Sequence, residues 1–124
     1  MQESSPAKSR RRVAIAGLCA TGLIAVAGAS QGATHTVRAT GNRTWKPASL
    51  SVASGSKVVW RNPTDDKHNV VSYKGPWSKK STLAEGGRTS FTFRKAGTYK
   101  YRCTLHSAVS DGKCNGMCGQ VRVS

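Results

Sequence analysis

The chain has 124 residues, with 20 Lys and Arg against 5 Asp and Glu, which gives a formal net charge of +15. This length allows one domain at most, and so few acidic residues leave little material for catalysis by paired carboxylates. The basic excess favours acidic partners, but it is spread along the chain without a nucleic-acid-reading motif, so we expect no nucleic acid partner.

The first predicted element is an export signal at residues 1–29. A basic run from Arg10 to Arg12, which loosely resembles a twin-arginine signal, precedes an uncharged stretch over residues 13–29. The tripeptide at 27–29, Ala-Gly-Ala, fits the small-residue pattern of a cleavage site. The uncharged stretch is shorter and less apolar than a membrane-spanning helix requires. We therefore expect export to the periplasm or another extracytoplasmic part of the cell envelope, with membrane attachment only if this segment is retained.

Residues 30–124 form the predicted folded domain, with 16 Lys and Arg, 4 Asp and Glu, and a net charge of +12. Alternating, β-branched runs separated by Gly, Pro, Asn and Ser predict short strands at 34–40, 49–54, 57–62 and 68–73, two strands within 89–103, and a last strand at 119–124. Residues 74–88 are expected to be a long irregular connection. This pattern predicts an all-β protein, a Greek-key β-sandwich of about seven strands. Its predicted core includes these aromatic and aliphatic side chains: Val58, Trp60, Phe91, Phe93, Tyr99 and Tyr101.

Four candidate metal ligands lie at or beyond the ends of these predicted strands. His68 begins one strand, Cys103 ends another, and His106 and Met117 lie in the connection before the last strand. Because the loops of a sandwich gather at its two ends, these four side chains can meet at one end. Two histidines, a cysteine and a weak axial methionine are the donor set of blue-copper electron-transfer sites.

A zinc site is the main alternative for the same region. Cys103 and His106, followed by Cys114 and Cys118, have the short spacings of zinc ligand pairs. Such a site would leave His68 unused and would conflict with an oxidising compartment. In an exported chain we expect Cys114 and Cys118 to form a disulfide that stiffens the loop carrying Met117.

The order of several segments resembles the small blue copper proteins, or cupredoxins, and in particular their plastocyanin, pseudoazurin and amicyanin branch. The resemblance covers most of residues 45–123 and rests on "WKPASLSVASGSKVVWRN", "HNVV", "FTFRKAGTYKYRCTLH" and "GMCGQVRV" in that order. It implies that one type 1 copper ion is bound by His68, Cys103, His106 and Met117.

The same resemblance implies two further roles. Asn69 would tie the two ligand loops together by hydrogen bonding, which orients ligands and tunes a metal centre. His106 would lie at the surface, where electrons enter or leave, and neighbouring apolar residues (Leu105, Ala108 and Val109) would form a patch around it. The chain departs from the family in having ten residues between His106 and Met117, where the branch has two to four. A three-coordinate site, or Gln120 as the axial donor, therefore remains an alternative to Met117.

These features together predict a function. We expect an exported, monomeric, non-enzymatic protein that shuttles single electrons between redox partners and has no small-molecule substrate. The charge of +12 predicts an acidic redox protein as partner. The alternatives are a copper carrier or buffer that uses the same ligands, and a basic cell-surface binding module with the same fold.

Overall fold

The computed structural model describes residues 32–124, so the predicted export signal at residues 1–29 lies outside the described residues. The described part of the chain has nine strands: β1 (Thr34–Ala39), β2 (Trp45–Lys46), β3 (Ser49–Val52), β4 (Ser56–Arg61), β5 (His68–Lys74), β6 (Lys80–Leu83), β7 (Arg88–Phe93), β8 (Gly97–Ser110) and β9 (Lys113–Val123). Within these residues, no helix is long and apolar enough to cross a membrane.

The strands form two sheets, and the predicted all-β sandwich is confirmed. The first sheet has the order β2-β1-β4-β7 and the second has the order β3-β9-β8-β5-β6. Two pairs are parallel, β1 with β4 and β3 with β9, and the other pairs are antiparallel. The count of nine exceeds the expected seven because β2 has only two residues and β6 lies inside the connection expected to be irregular.

The core between the sheets follows the alternation in the sequence. Val58, Trp60, Phe93 and Tyr101 are fully buried, while Phe91 is only partly buried against this cluster. A side chain on every second residue of a strand points to the same face, so these residues meet in one apolar layer. The predicted core is therefore correct in composition, with Phe91 at its margin.

Tyr101 lies at the centre of this aromatic layer. Its ring packs edge-on against Trp60 at 5.2 Å and against Trp45 at 5.7 Å between ring centroids. Its hydroxyl oxygen and the Nε1 atoms of both tryptophans are buried without a hydrogen-bond partner in the described part of the chain. Burial disfavours the phenolate and raises the pKa of Tyr101 well above its usual range.

The second sheet positions the candidate ligands. Strands β5 and β8 are antiparallel neighbours, with Val71 opposite Arg102. The buried face of β8 runs through Tyr99 and Tyr101 to Cys103, and the buried face of β5 begins at His68. Because the two strands run in opposite directions, the start of β5 and this part of β8 lie at the same end of the sandwich.

Candidate metal centre

Cys103 lies at the point where the pairing of β8 with β9 is interrupted. Arg102 pairs with Cys118, and the next pair is Ser107 with Gly116. Four residues of β8, at 103–106, therefore lie opposite a single residue of β9, which is Met117. This four-residue bulge turns the chain so that His106 can face back toward Cys103. In a regular strand, residues three apart point to opposite faces.

Hydrogen bonds across the bulge fix its two ends. The Arg102 guanidinium donates through Nη1 to the backbone oxygen and to the hydroxyl oxygen of Ser107, both at 3.1 Å. The Ser107 hydroxyl donates in turn to the backbone oxygen of Cys103 at 2.5 Å. The residues on either side of the bulge are thus held together by side chains of β8 itself.

Three side chains bring nitrogen and sulfur donors together at this end of the sandwich. The Cys103 Sγ atom lies 3.7 Å from His68 Nδ1 and 3.5 Å from His106 Nδ1. The ligand atoms of the three residues all lie within 4.8 Å of one another. His68 and Cys103 are fully buried, whereas His106 is partly exposed.

These distances fit a single metal ion. Metal–sulfur and metal–nitrogen bonds of about 2.3 and 2.0 Å, at angles from tetrahedral to trigonal, separate the two donor atoms by roughly 3.5–3.7 Å. The sulfur-to-nitrogen distances of 3.5 and 3.7 Å match that range. Imidazole and thiolate together suit copper, and the buried position of the thiol keeps it from exchange with other thiols.

The fourth predicted ligand, Met117, faces the same end of the core. It is fully buried, on the inner face of β9 together with Val121, and it lies opposite the bulge that carries Cys103 and His106. Gln120 lies on the outer face, where its amide nitrogen donates to the Ser49 hydroxyl at 3.2 Å. The structure thus puts Met117, and not Gln120, on the side of β9 that faces the candidate site.

The ten residues between His106 and Met117 form a β-hairpin extension. The extension pairs residues 107–110 with residues 113–116. Asp111 and Gly112 both have positive φ angles, 52° and 74°, which is the two-residue turn that Asp-Gly favours. A loop was predicted here, although the Asp-Gly dipeptide between short runs was the available hairpin signal.

A disulfide joins Cys114 and Cys118 across Met117. Four steps of extended strand span about 13 Å, whereas the two Cα atoms are 6.1 Å apart. The strand must therefore bend between them, and Gly116 permits the bend with a φ of 104°. A Cβ atom at Gly116 would overlap the backbone oxygen of His106. Because both cysteines are bonded to each other, the alternative zinc site built from them is wrong.

Asn69 links the two segments that carry ligands. Its amide nitrogen donates to the Thr104 hydroxyl at 2.8 Å, and its amide oxygen accepts from the Thr104 backbone nitrogen at 2.7 Å. These reciprocal bonds join the residue after His68 to the residue after Cys103.

The charge state of His68 favours metal binding. Burial lowers the pKa of His68, repulsion from His106 lowers it further, and the negative charge of Asp66 partly opposes both effects. At neutral pH the imidazole is therefore neutral, which is the form that binds a metal ion.

Two residues behind His68, Asn62 and Thr64, were not predicted from the sequence as part of the site. The His68 Nε2 atom lies 3.1 Å from the Thr64 hydroxyl, and Thr64 is held by the fully buried Asn62. Asn62 was predicted as the last residue of the strand at 57–62, and Thr64 as part of an ordinary loop, because Thr is common in turns. Only the fold places this loop against the far side of the imidazole.

The chain is similar to known proteins over most of its length. Residues 33–124 match the model of a family described as copper binding proteins of the plastocyanin/azurin family. The chain is 31% identical to plastocyanin of Lactuca sativa and 32% identical to plastocyanin of Sambucus nigra, in each case over 96 residues that cover 68% of this chain and 91% of the relative.

Among solved structures, the chain is similar to an amicyanin variant in its reduced Cu(I) form. The two are 28% identical with a TM-score of 0.60, over 73% of this chain and 82% of amicyanin. The family match thus extends over almost all of the described residues, including the segments that carry the candidate ligands.

Proposed function

The chain belongs to the plastocyanin/azurin family of copper-binding proteins, and we propose that its type 1 copper ion is bound by His68, Cys103, His106 and Met117. The observation that carries this proposal is the convergence of Cys103 Sγ on the Nδ1 atoms of the two histidines, at 3.7 and 3.5 Å. The protein is an electron carrier, not an enzyme.

The bound copper supplies a one-electron Cu(II)/Cu(I) couple. Cys103 would provide a thiolate ligand, the two histidines would provide imidazole ligands, and Met117 would provide a thioether from β9. The bonds from Arg102 through Ser107 to Cys103, and those between Asn69 and Thr104, hold these side chains in one arrangement. A preformed, rigid set of ligands keeps structural change small when the charge of the site changes.

His106 is the proposed route for electrons, because it is the partly exposed member of the three converging residues. Leu105 and Val109 beside it are 53% and 39% exposed and are the exposed large apolar side chains of the described residues. An apolar contact around His106 would exclude water and bring a redox partner close to the site.

The protein exchanges electrons with redox partners, and we propose that its partner is an acidic protein. Residues 30–124 carry a net charge of +12, and the described part of the chain has one ion pair, between Arg43 and Asp66. Most basic side chains thus remain free to attract a partner of opposite charge. We also propose that the chain is exported and acts as a monomer. The Cys114–Cys118 disulfide supports the export, because such bonds persist in oxidising compartments.

A copper carrier with the same ligands is the second candidate, and redox cycling distinguishes the two. We expect the purified copper protein to give reversible voltammetry over repeated cycles and to retain Cu(I) when a Cu(I) chelator is present in excess. Loss of the metal to the chelator within one reduction cycle would favour the carrier.

A further inference from the structure

A short chain of hydrogen bonds runs from the interior of the 62–66 loop to the far side of His68. The Thr64 hydroxyl oxygen lies 3.1 Å from His68 Nε2 and 2.6 Å from the side-chain oxygen of Asn62. Asn62 is fully buried, and its amide nitrogen lies 2.7, 3.0 and 3.2 Å from the backbone oxygens of Asp66, Leu83 and Ala84.

The surroundings of Asn62 fix which of its amide atoms donates and which accepts. Its amide nitrogen faces only carbonyl oxygens, so it must donate. Its side-chain oxygen faces the Thr64 backbone nitrogen at 3.0 Å, so it must accept. The reversed amide would place oxygen against oxygen and nitrogen against nitrogen, which excludes it.

The Thr64 hydroxyl has one proton, and it has two possible acceptors besides His68. These are the Asn62 side-chain oxygen at 2.6 Å and the Asp66 backbone oxygen at 3.3 Å. If the proton were given to His68 Nε2, the Thr64 and Asn62 oxygens would face each other at 2.6 Å with no proton between them, which is repulsive. Neither of the other two acceptors can donate, so giving the proton to either one leaves an oxygen lone pair toward His68 Nε2. The imidazole must then donate from Nε2, because two lone pairs facing each other would repel.

We propose that Thr64 is a positioning residue that holds His68 in the tautomer with its proton on Nε2. In that tautomer Nδ1 carries the free lone pair, and Nδ1 is the atom that faces Cys103 Sγ at 3.7 Å. The Asn62–Thr64 pair thereby presents the correct atom of a buried imidazole before any metal binds. The consequence for copper rests on the proposed function, but the tautomer itself does not.

Two substitutions distinguish the effect of the Thr64 hydroxyl from the effect of the side chain's shape. Thr64→Val keeps the branched shape and removes the acceptor, leaving a buried Nε2–H without a partner, which is costly. Thr64→Ser keeps the acceptor. Thr98→Val, at an exposed position on β8, is the matched control for the threonine-to-valine change itself.

The first measurement uses metal-free protein and the two-bond proton–nitrogen correlations of the His68 ring, at about pH 8, above the ordinary histidine pKa. We expect the Nε2–H tautomer alone in the wild type, Thr64→Ser and Thr98→Val. Thr64→Val should show a measurable Nδ1–H population, because that proton can face the Cys103 sulfur. A Thr64→Val spectrum with the wild-type tautomer overturns the proposal. If Thr64→Val does not fold, Thr64→Ala tests the same loss of the hydroxyl.

The second measurement uses copper-loaded protein. Thr64→Val removes the hydrogen-bond acceptor for Nε2–H, which makes Nδ1 a weaker electron-pair donor to the metal. Copper affinity should therefore fall on the order of tenfold. Thr64→Val should also raise the reduction potential. Thr64→Ser should keep the wild-type copper affinity and potential. A changed tautomer with unchanged affinity and potential would support the assignment of the hydrogen bonds and contradict copper binding by His68. The two failures are therefore distinguishable.

Discussion

Met117 is the residue on which the ten-residue extension has the greatest effect. The register of β8 and β9 puts it opposite the bulge at 103–106, and the disulfide bends the strand around it. Its buried position depends on Gly116, because any side chain there would overlap the His106 backbone. One glycine and one disulfide thus allow a longer connection to return the methionine to the ligand end of the core.

Met117→Leu tests this placement, since leucine fills a similar volume without the sulfur. We expect the free energy of unfolding of the metal-free protein to fall by less than about 1.5 kcal/mol. The reduction potential should rise, because a purely apolar axial side chain disfavours the more highly charged Cu(II) form. The measurement is voltammetry, with Val123→Ile on the same face of β9 as the control. An unchanged potential in Met117→Leu would contradict the contact with copper.

Tyr101 gives the fold a specific dependence on high pH. Its pKa is raised by burial, so the folded state keeps the proton while the unfolded state releases it above about pH 10. The unfolded state then binds fewer protons, and the free energy of unfolding falls as pH rises, by up to about 1.4 kcal/mol per pH unit. Below about pH 10, Tyr101 is protonated in both the folded and the unfolded state, so it adds no pH dependence to the free energy of unfolding.

Tyr101→Phe should remove that part of the alkaline loss of stability. The measurement is urea unfolding of metal-free protein between about pH 9 and 11. Tyr73→Phe, at a partly exposed position, is the control and should keep the wild-type dependence. Parallel curves for the wild type and Tyr101→Phe would show that the buried hydroxyl has no such role.

At the level of elements, β5, β8 and β9 carry the candidate site and differ in how well they could be predicted. His68 and Cys103 were predictable as ligands because His68 begins an alternating strand and Cys103 ends the alternating part of another, although β8 itself continues past Cys103. The order of the segments, which resembles that of the cupredoxins, then implied that His106 and Met117 are the other two ligands. The hairpin at residues 107–116 was missed, since its strands are short and do not alternate apolar with polar residues, and only Asp-Gly marks the turn. The bulge was also missed, because its offset arises from pairing between distant residues.

The network behind His68 was unpredictable for a different physical reason. Asn62 and Thr64 act through contacts with backbone atoms of residues 66, 83 and 84, which the sequence does not bring together. Their residue types fit any polar loop. Only the packing of the 62–66 loop against the end of β6 gives them a role at the imidazole.

The Cys114–Cys118 disulfide should stabilise the hairpin and the bend at Gly116. A bond that closes so short a loop contributes about 2 kcal/mol through the unfolded chain. The variant with both cysteines changed to serine should lose about that much free energy of unfolding in urea, yet should still bind copper with lower affinity. Complete loss of copper binding in this variant would instead indicate that one of these cysteines is a ligand.

At the scale of the whole molecule, the net charge of +12 on residues 30–124 should govern encounter rates. Electron transfer with an anionic complex such as hexacyanoferrate should slow as salt is added, because screening weakens the attraction. With a cationic complex such as hexaammineruthenium, added salt should raise the rate. Stopped-flow kinetics over a range of ionic strength measures both. Equal salt dependence with the two probes would contradict electrostatic steering.

Cys103 is the proposed ligand without which this copper site could not form. The most direct test is to add Cu(II) stepwise to purified metal-free protein while recording the visible absorption spectrum. We predict an intense thiolate-to-copper band that saturates at about one equivalent, is absent in Cys103→Ala, and persists when Cys114 and Cys118 are both serine. A colourless product, or a band that survives in Cys103→Ala, would contradict the assignment.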